Sequence, residues 1–161
     1  MNNSITIRPV REDEVPLVLQ FVRELAEYEH LLHKVVATEE RLKSDLFGPR
    51  PYAEAVFACF DGEPVGFALF FHNYSTFVGK PGIYLEDLFV RPSVRGRGVG
   101  QALLCWLAGE AVKRDCGRLE WSVLNWNEPA IRFYRSLGAK PMDEWGIFRL
   151  AGDALKRVAG Q

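Results

Sequence analysis

Hydrophobic positions along the chain change period several times, and each change marks an element. Residues 4–9 (SITIRP) alternate and stop at Pro9, which predicts a short edge strand. Val15, Val18, Leu19, Val22, Leu25 and Ala26 then recur at three- and four-residue spacing. That period turns them to one side of a helix over 12–28, with acidic residues in its first turn where the positive helix end favours them. Thr38 followed by Glu39 and Glu40 reads as a second helix start, running to about Phe47 before Gly48-Pro49. Residues 54–60 (EAVFACF) and 64–72 (PVGFALFFH) are strands joined by Asp61-Gly62, a strong hairpin signal. A third long strand over 82–91 (GIYLEDLFVR) precedes a helix whose apolar side is Leu103, Leu104, Leu107 and Ala111. A strand over 118–125, a short helix over 127–137 closed by Gly138, and a final strand pair around 140–151 complete the expectation. The unit from 82 to 125 predicts a right-handed parallel crossover. An antiparallel meander leading into it gives an α/β (α+β) chain with a mixed, mostly antiparallel sheet flanked by helices.

The length of 161 residues suits one domain, residues 1–161, and two full domains do not fit. Twenty basic residues against 21 acidic ones give a net charge of −1, so no global field points to nucleic acid or to an anionic membrane. The N-terminus lacks a signal-peptide pattern and no apolar run approaches a membrane span, which predicts a cytoplasmic protein. Cys59, Cys105 and Cys116 form no CxxC pair and read as unbonded thiols in apolar or helical contexts.

Candidate chemistry begins at Arg95-Gly96-Arg97-Gly98-Val99-Gly100, where three glycines in five residues join a strand to a helix. Successive backbone N–H groups and the positive helix end converge there, which suits a phosphate; a merely glycine-rich exposed turn is the bland alternative. No Lys-Ser or Lys-Thr follows Gly100, and Gln101 stands after it, so neither a nucleotide-triphosphate loop nor a dinucleotide fingerprint is complete. Glu120 has the spacing of a ribose-binding acid, yet too little chain follows for the second half of a doubly wound fold. Glu86 and Asp87 are adjacent carboxylates in an apolar strand, sent by alternation to opposite faces, and serve either ion pairing or a general base at a cleft. Asn127 and Tyr134 lie two helical turns apart on one side of the short helix. Asn127 makes a credible N-cap, and Tyr134 is a half-buried aromatic or an acid beside a leaving group. His30 and His33 lack a convincing third ligand, so no metal is expected; His72 reads as a solvent contact, and Trp121 and Trp126 as packing anchors.

Together these pieces resemble the GNAT superfamily of acyl-CoA-dependent N-acetyltransferases, whose signature is Arg or Gln, then xxGxG or xxGxA, at a strand-to-helix turn. Along nearly its whole length the chain is similar to the spermidine/spermine N-acetyltransferase family. ELAEYE (24–29), YLEDLFV (84–90), RGRGVG (95–100) and WNEPAIRFYRSLGA (126–139) carry that likeness. The resemblance implies the GNAT fold, with its crossover at an acetyl-CoA site. The amides of Arg95, Gly96, Arg97, Gly98, Val99 and Gly100 would hold the pyrophosphate, and the main chain of Leu88, Phe89 and Val90 the pantetheine arm. Asn127 matches a further cofactor contact. Tyr134 matches the acid that protonates the departing thiolate and Glu86 the water-mediated base, with a backbone N–H near Phe89 as oxyanion donor.

The acceptor implied by the resemblance is a small primary amine. Polyamine-acetylating members carry extra acidic residues where this chain has Leu31, Leu32 and His33, and Tyr74-Ser75-Thr76-Phe77. The second run is closer to relatives that acetylate thialysine and similar lysine-like amines. Glu29, Glu86, Asp87 and Asp143 are the anionic groups available to an ammonium, and diamines or polyamines remain within the reading. A protein or peptide N-acetyltransferase and a non-catalytic acyl-CoA-binding module are the alternatives, since fold alone does not give function. Homodimers are typical of the family and are expected here.

Overall fold

The computed structural model describes residues 4–160. They divide into two compact units, the first extending through Ser122 and the second beginning at Val123. In the first unit β1 (Ile5–Pro9), β2 (Glu54–Phe60), β3 (Glu63–Ser75), β4 (Lys80–Val90) and β5 (Leu119–Trp121) form one sheet in the order β1-β2-β3-β4-β5. All neighbours are antiparallel except β4 and β5, which run parallel. The hairpin between β2 and β3 forms at Asp61-Gly62, both left-handed at φ 51° and 89°. That is the conformation a two-residue turn needs to match strand twist.

The expected first helix divides in two. Glu12–Glu14 make a 3-10 turn holding the acidic residues expected in the first helical turn, and α1 (Val15–Tyr28) follows with Pro16 in its first turn. Glu14 is spent on structure: it accepts from Arg8 at 2.7 and 2.8 Å, and this partner holds its carboxyl down at about 2. α2 (Glu39–Phe47) starts at Thr38, whose hydroxyl accepts from Arg41 N–H at 3.2 Å. α1 covers one face of the sheet. Its fully buried Phe21 stacks on Phe67 with ring centroids 5.5 Å apart and meets Phe57 and Phe89 at 5.7 and 6.3 Å. α3 (Val99–Lys113) covers the other face, where Leu103 and Leu107 are fully buried and Trp106 meets Phe70 edge-on at 6.0 Å.

Two expectations at the C-terminal end do not hold. The strand expected over 118–125 is only Leu119–Trp121, paired with Ile83, Tyr84 and Leu85. The final strand pair around 140–151 is irregular chain, with Pro141 and Gly146 within it. Its apolar residues resemble a strand pattern, but a strand also needs a neighbour for its hydrogen bonds. The second unit contains α4 (Glu128–Ser136), close to the expected helix, and α5 (Gly152–Ala159), which the sequence reading did not include. Leu155 and Val158, three residues apart in α5, were the available signal.

Because Phe21 touches three aromatic rings across the sheet, Phe21→Ala should cost about 3–5 kcal/mol of stability, measured by urea unfolding. A loss below about 1 kcal/mol would show that α1 is not anchored through this ring.

Candidate active site

β4 carries one residue more than β3 requires. Leu85 pairs with Phe70 and Asp87 with Leu69, so Glu86 is the extra residue of a β-bulge. This corrects the expected simple alternation. Leu85 joins Phe70 on the α3 face, whereas Asp87 joins Leu69, which packs with the α1 core. Glu86 is exposed and Asp87 is half-buried. Burial, with the charges of Glu86 and Glu29 beside it, pushes the Asp87 carboxyl up to about 7. Glu29 caps the C-terminal end of α1, where burial raises its own carboxyl above the ordinary range. The chain reverses there through His30 at φ 60°, with Leu31 N–H on Ala26 C=O at 2.7 Å and His30 N–H on Glu27 C=O at 3.0 Å. No ion pair among the described residues reaches Glu29, Glu86 or Asp87, so three carboxylates are left to attract a cation.

The bulge also ends the ladder on the far edge of β4. β5 pairs only as far as Leu85, and no strand among the described residues pairs with that edge over 86–90. The chain then passes through a short 3-10 turn (Pro92–Val94) into the glycine turn. Gly96 and Gly98 have φ 76° and 86°, a left-handed conformation that glycine adopts without steric cost. A Cβ at Gly96 would meet nothing within 4 Å, and at Gly98 only Ile5 Cδ1 at 3.8 Å, so backbone conformation rather than space calls for glycine. The turn is exposed between buried Val94 and Val99. Gly98 is the N-cap of α3, and no side chain caps that end. Its first N–H groups are therefore available to an anion.

The turn's arginine side chains are engaged with the protein. Arg95 donates Nε–H to Val90 C=O at 2.8 Å, and its guanidinium carbon lies 4.6 Å from the Tyr28 ring centroid and 5.5 Å from that of Phe89. Arg97 lies 5.5 Å over the Phe60 ring. Arg91 grips Glu24 through two hydrogen bonds of 3.0 and 2.9 Å and lies 4.7 Å from the Phe21 centroid. The sequence reading named neither Arg91, Glu24 nor Tyr28 as individual contributors; the available signal was the spacing of 91 and 95 against 21, 24 and 28. Glu120, the ribose-acid candidate, accepts from Asn73 at 3.1 Å and pairs with Arg118 at 2.8 Å in the sheet.

Asn127, Tyr134 and Asp143 belong to the second unit. Asn127 is buried and caps α4, its Oδ1 accepting from Ala130 N–H at 3.4 Å. Tyr134 is half-buried with its ring 5.6 Å from that of Phe133, and Asp143 is exposed.

A mixed five-stranded sheet flanked by helices, with β4 feeding a glycine turn at the start of α3, is the architecture of a GNAT acetyltransferase. The profile of the acetyltransferase (GNAT) family matches residues 19–139, and the chain belongs to that family of N-acetyltransferases. It is 37% identical to the thialysine N-epsilon-acetyltransferase of Sus scrofa, covering 98% of this chain and 99% of that protein. Identity to the L-ornithine N5-acetyltransferase NATA1 of Arabidopsis thaliana is 32%, covering 94% and 86%. Among solved structures, an integron cassette protein from the mobile metagenome of V. cholerae superposes with a TM-score of 0.81 at 29% identity, covering 98% and 99%.

The raised Asp87 carboxyl makes stability depend on pH. Between the unfolded value near 4 and the folded value of about 7 the native state holds the extra proton, so stability falls as pH rises through that window. Asp87→Asn should match the wild type near pH 4 and exceed it at pH 8 by a few kcal/mol in urea unfolding. An unchanged pH slope in the variant would assign the proton elsewhere.

Proposed function

We propose that residues 1–161 work as one domain that transfers the acetyl group of acetyl-CoA to the primary amine of a small, lysine-like substrate. The observation that carries this reading is the end of β4: an edge over 86–90 that no strand among the described residues pairs, leading to a helix start that no side chain caps. The open edge suits an amide-bearing pantetheine arm, over Leu88, Phe89 and Val90, because on the side away from β3 no strand among the described residues pairs with the main chain there. The amides from Gly96 to Gly100 suit a pyrophosphate, with Asn127 as a further contact, whereas the Arg95 N–H expected among them donates to Pro92 C=O at 3.3 Å.

In this reading Glu29, Asp87 and Asp143 attract the acceptor's ammonium, and Glu86 removes its proton through water, since the neutral amine is the nucleophile. Acetyl-CoA supplies an activated thioester carbonyl. As the new C–N bond forms, a backbone N–H near Phe89 receives the developing oxyanion. The C–S bond breaks with its electron pair on sulfur, Tyr134 O–H delivers a proton to that thiolate, and the remaining proton of the newly acylated nitrogen passes through water to the tyrosinate and restores it. No covalent enzyme intermediate is required. The nature of residues 31–33 and 74–77, together with the thialysine- and ornithine-acetylating relatives, favours a short amine over a long polycation.

Free-thiol release from acetyl-CoA, measured across thialysine, lysine, ornithine, putrescine, spermidine, spermine and a short lysine peptide, tests the reading. The highest kcat/KM should belong to a thialysine-like amino acid or short diamine. Preference for spermine or for the peptide would replace the proposed acceptor, and acetyl-CoA binding without transfer to any of them would favour a binding module.

Tyr134→Phe should lower kcat by ~100-fold, the scale of general acid catalysis, while leaving acetyl-CoA affinity close to wild type by calorimetry. Unchanged turnover would remove Tyr134 as the acid.

A further inference from the structure

The two arginines on either side of the 3-10 turn after β4 both reach back to α1. Arg91 engages Glu24 and Phe21, and Arg95 engages Tyr28, so one stripe of α1 at positions 21, 24 and 28 meets two side chains four residues apart. The Arg91 contacts fasten α1 to the last residue before the turn. The Arg95 contacts fasten the turn itself, because the same guanidinium that covers the Tyr28 ring donates to Val90 C=O at the end of β4. Tyr28 is the last residue of α1 and precedes Glu29, the cap whose carboxylate lies near Asp87.

We infer that Tyr28, acting through Arg95, is a positioning residue for the glycine turn, coupling the carboxylate-bearing end of α1 to the backbone cradle at the start of α3. The inference rests on the proposed use of that turn for the pyrophosphate of acetyl-CoA. A turn with glycines at 96 and 98 has wide backbone freedom, and convergent N–H groups bind an anion well only when their directions are held. The Arg95 clamp restrains the N-terminal side of the turn, and buried Val99 restrains the other. The Arg95 side chain then contributes by geometry. A lysine at 95 keeps the charge but has no flat guanidinium to lie over the ring while donating to Val90 C=O.

The test is acetyl-CoA affinity by titration calorimetry on full-length protein, together with KM and kcat wherever an acceptor turns over. Tyr28→Leu should weaken acetyl-CoA binding about three- to tenfold, the scale of a lost cation–π contact, and Tyr28→Phe, which retains an aromatic face, should stay within about twofold. Arg95→Lys should behave like Arg95→Met, and the Tyr28→Leu/Arg95→Met double variant should lose no more than Arg95→Met alone. With saturating acetyl-CoA, kcat in Tyr28→Leu should stay within about twofold of wild type, a KM-against-kcat split that a general loss of folding does not give. Wild-type affinity in Arg95→Lys would make Arg95 a point charge on the phosphates and overturn the inference. Additive losses in the double variant would overturn it as well. If Tyr28→Leu does not fold, Arg95→Lys and Tyr28→Phe decide the question alone. Wild-type protein that binds no acetyl-CoA would sink the functional reading itself, an outcome distinct from binding that is insensitive to Tyr28.

Discussion

One extra residue in β4 organises the first unit. Without Glu86 in the bulge, β4 would keep its alternation, and Asp87 would fall on the α3 face with Leu85. With it, the strand changes parity between Leu85 and Asp87. The same strand gives Leu85 to the α3 face and Phe89 to the Phe21 cluster, and it sets a carboxyl near the end of α1. The bulge is also where pairing with β5 stops, which leaves the last turn of β4 with an open edge. Core packing, carboxylate placement and free backbone therefore share one local irregularity, the kind of re-aiming for which bulges are known beside active sites.

Charge is distributed by the same logic. The net charge of −1 conceals a division between carboxylates with partners and carboxylates without. Glu14 answers Arg8, Glu24 answers Arg91, Glu54 and Glu110 answer Arg114, and Glu120 answers Arg118. None of these ion pairs includes Glu29, Glu86 or Asp87. Glu86 and Glu29 instead add to burial in raising the proton affinity of Asp87. An uncompensated acidic group in a partly buried place costs stability, and a bound ammonium would relieve that cost.

Much of this was readable from the residues, and what was not has a common cause. The period of α1, the Asp61-Gly62 hairpin, the Thr38 and Asn127 caps and the glycine turn are local, and each appears where its residues predict it. The bulge is not local. Ile83, Leu85 and Phe89 share one parity in sequence and read as one face, but both faces of β4 are covered by helices, so apolar residues suit either side. Register against β3 decides the matter, and one strand's pattern does not contain it. The contacts of Arg91 with Glu24 and of Arg95 with Tyr28 join residues 67 positions apart, and arginine in a turn reads first as a solvated charge. The stretch 140–151 failed in the opposite way, because its apolar residues suggested a strand that no segment among the described residues pairs.

On the proposed reading, the two halves of the reaction are recognised by different kinds of group. The pyrophosphate side relies on main-chain N–H groups at a helix start, so its side chains serve to hold conformation: Gly96 and Gly98 by permitting positive φ, Val99 by burial, Arg95 by its hold on Val90 and Tyr28. The amine side relies on side-chain carboxylates and on the residues at 31–33 and 74–77. Acceptor preference can then change by substitution while the acetyl-donor site keeps its geometry. On this reading acceptor range is a question for Glu29, Asp87 and the residues at 31–33 and 74–77, and the glycine turn does not inform it. Tyr28 is the exception, since it stands next to Glu29 on one element and touches the other through Arg95. Substitutions at the end of α1 meant to alter the amine would therefore also disturb the donor, unless an aromatic face is kept at position 28.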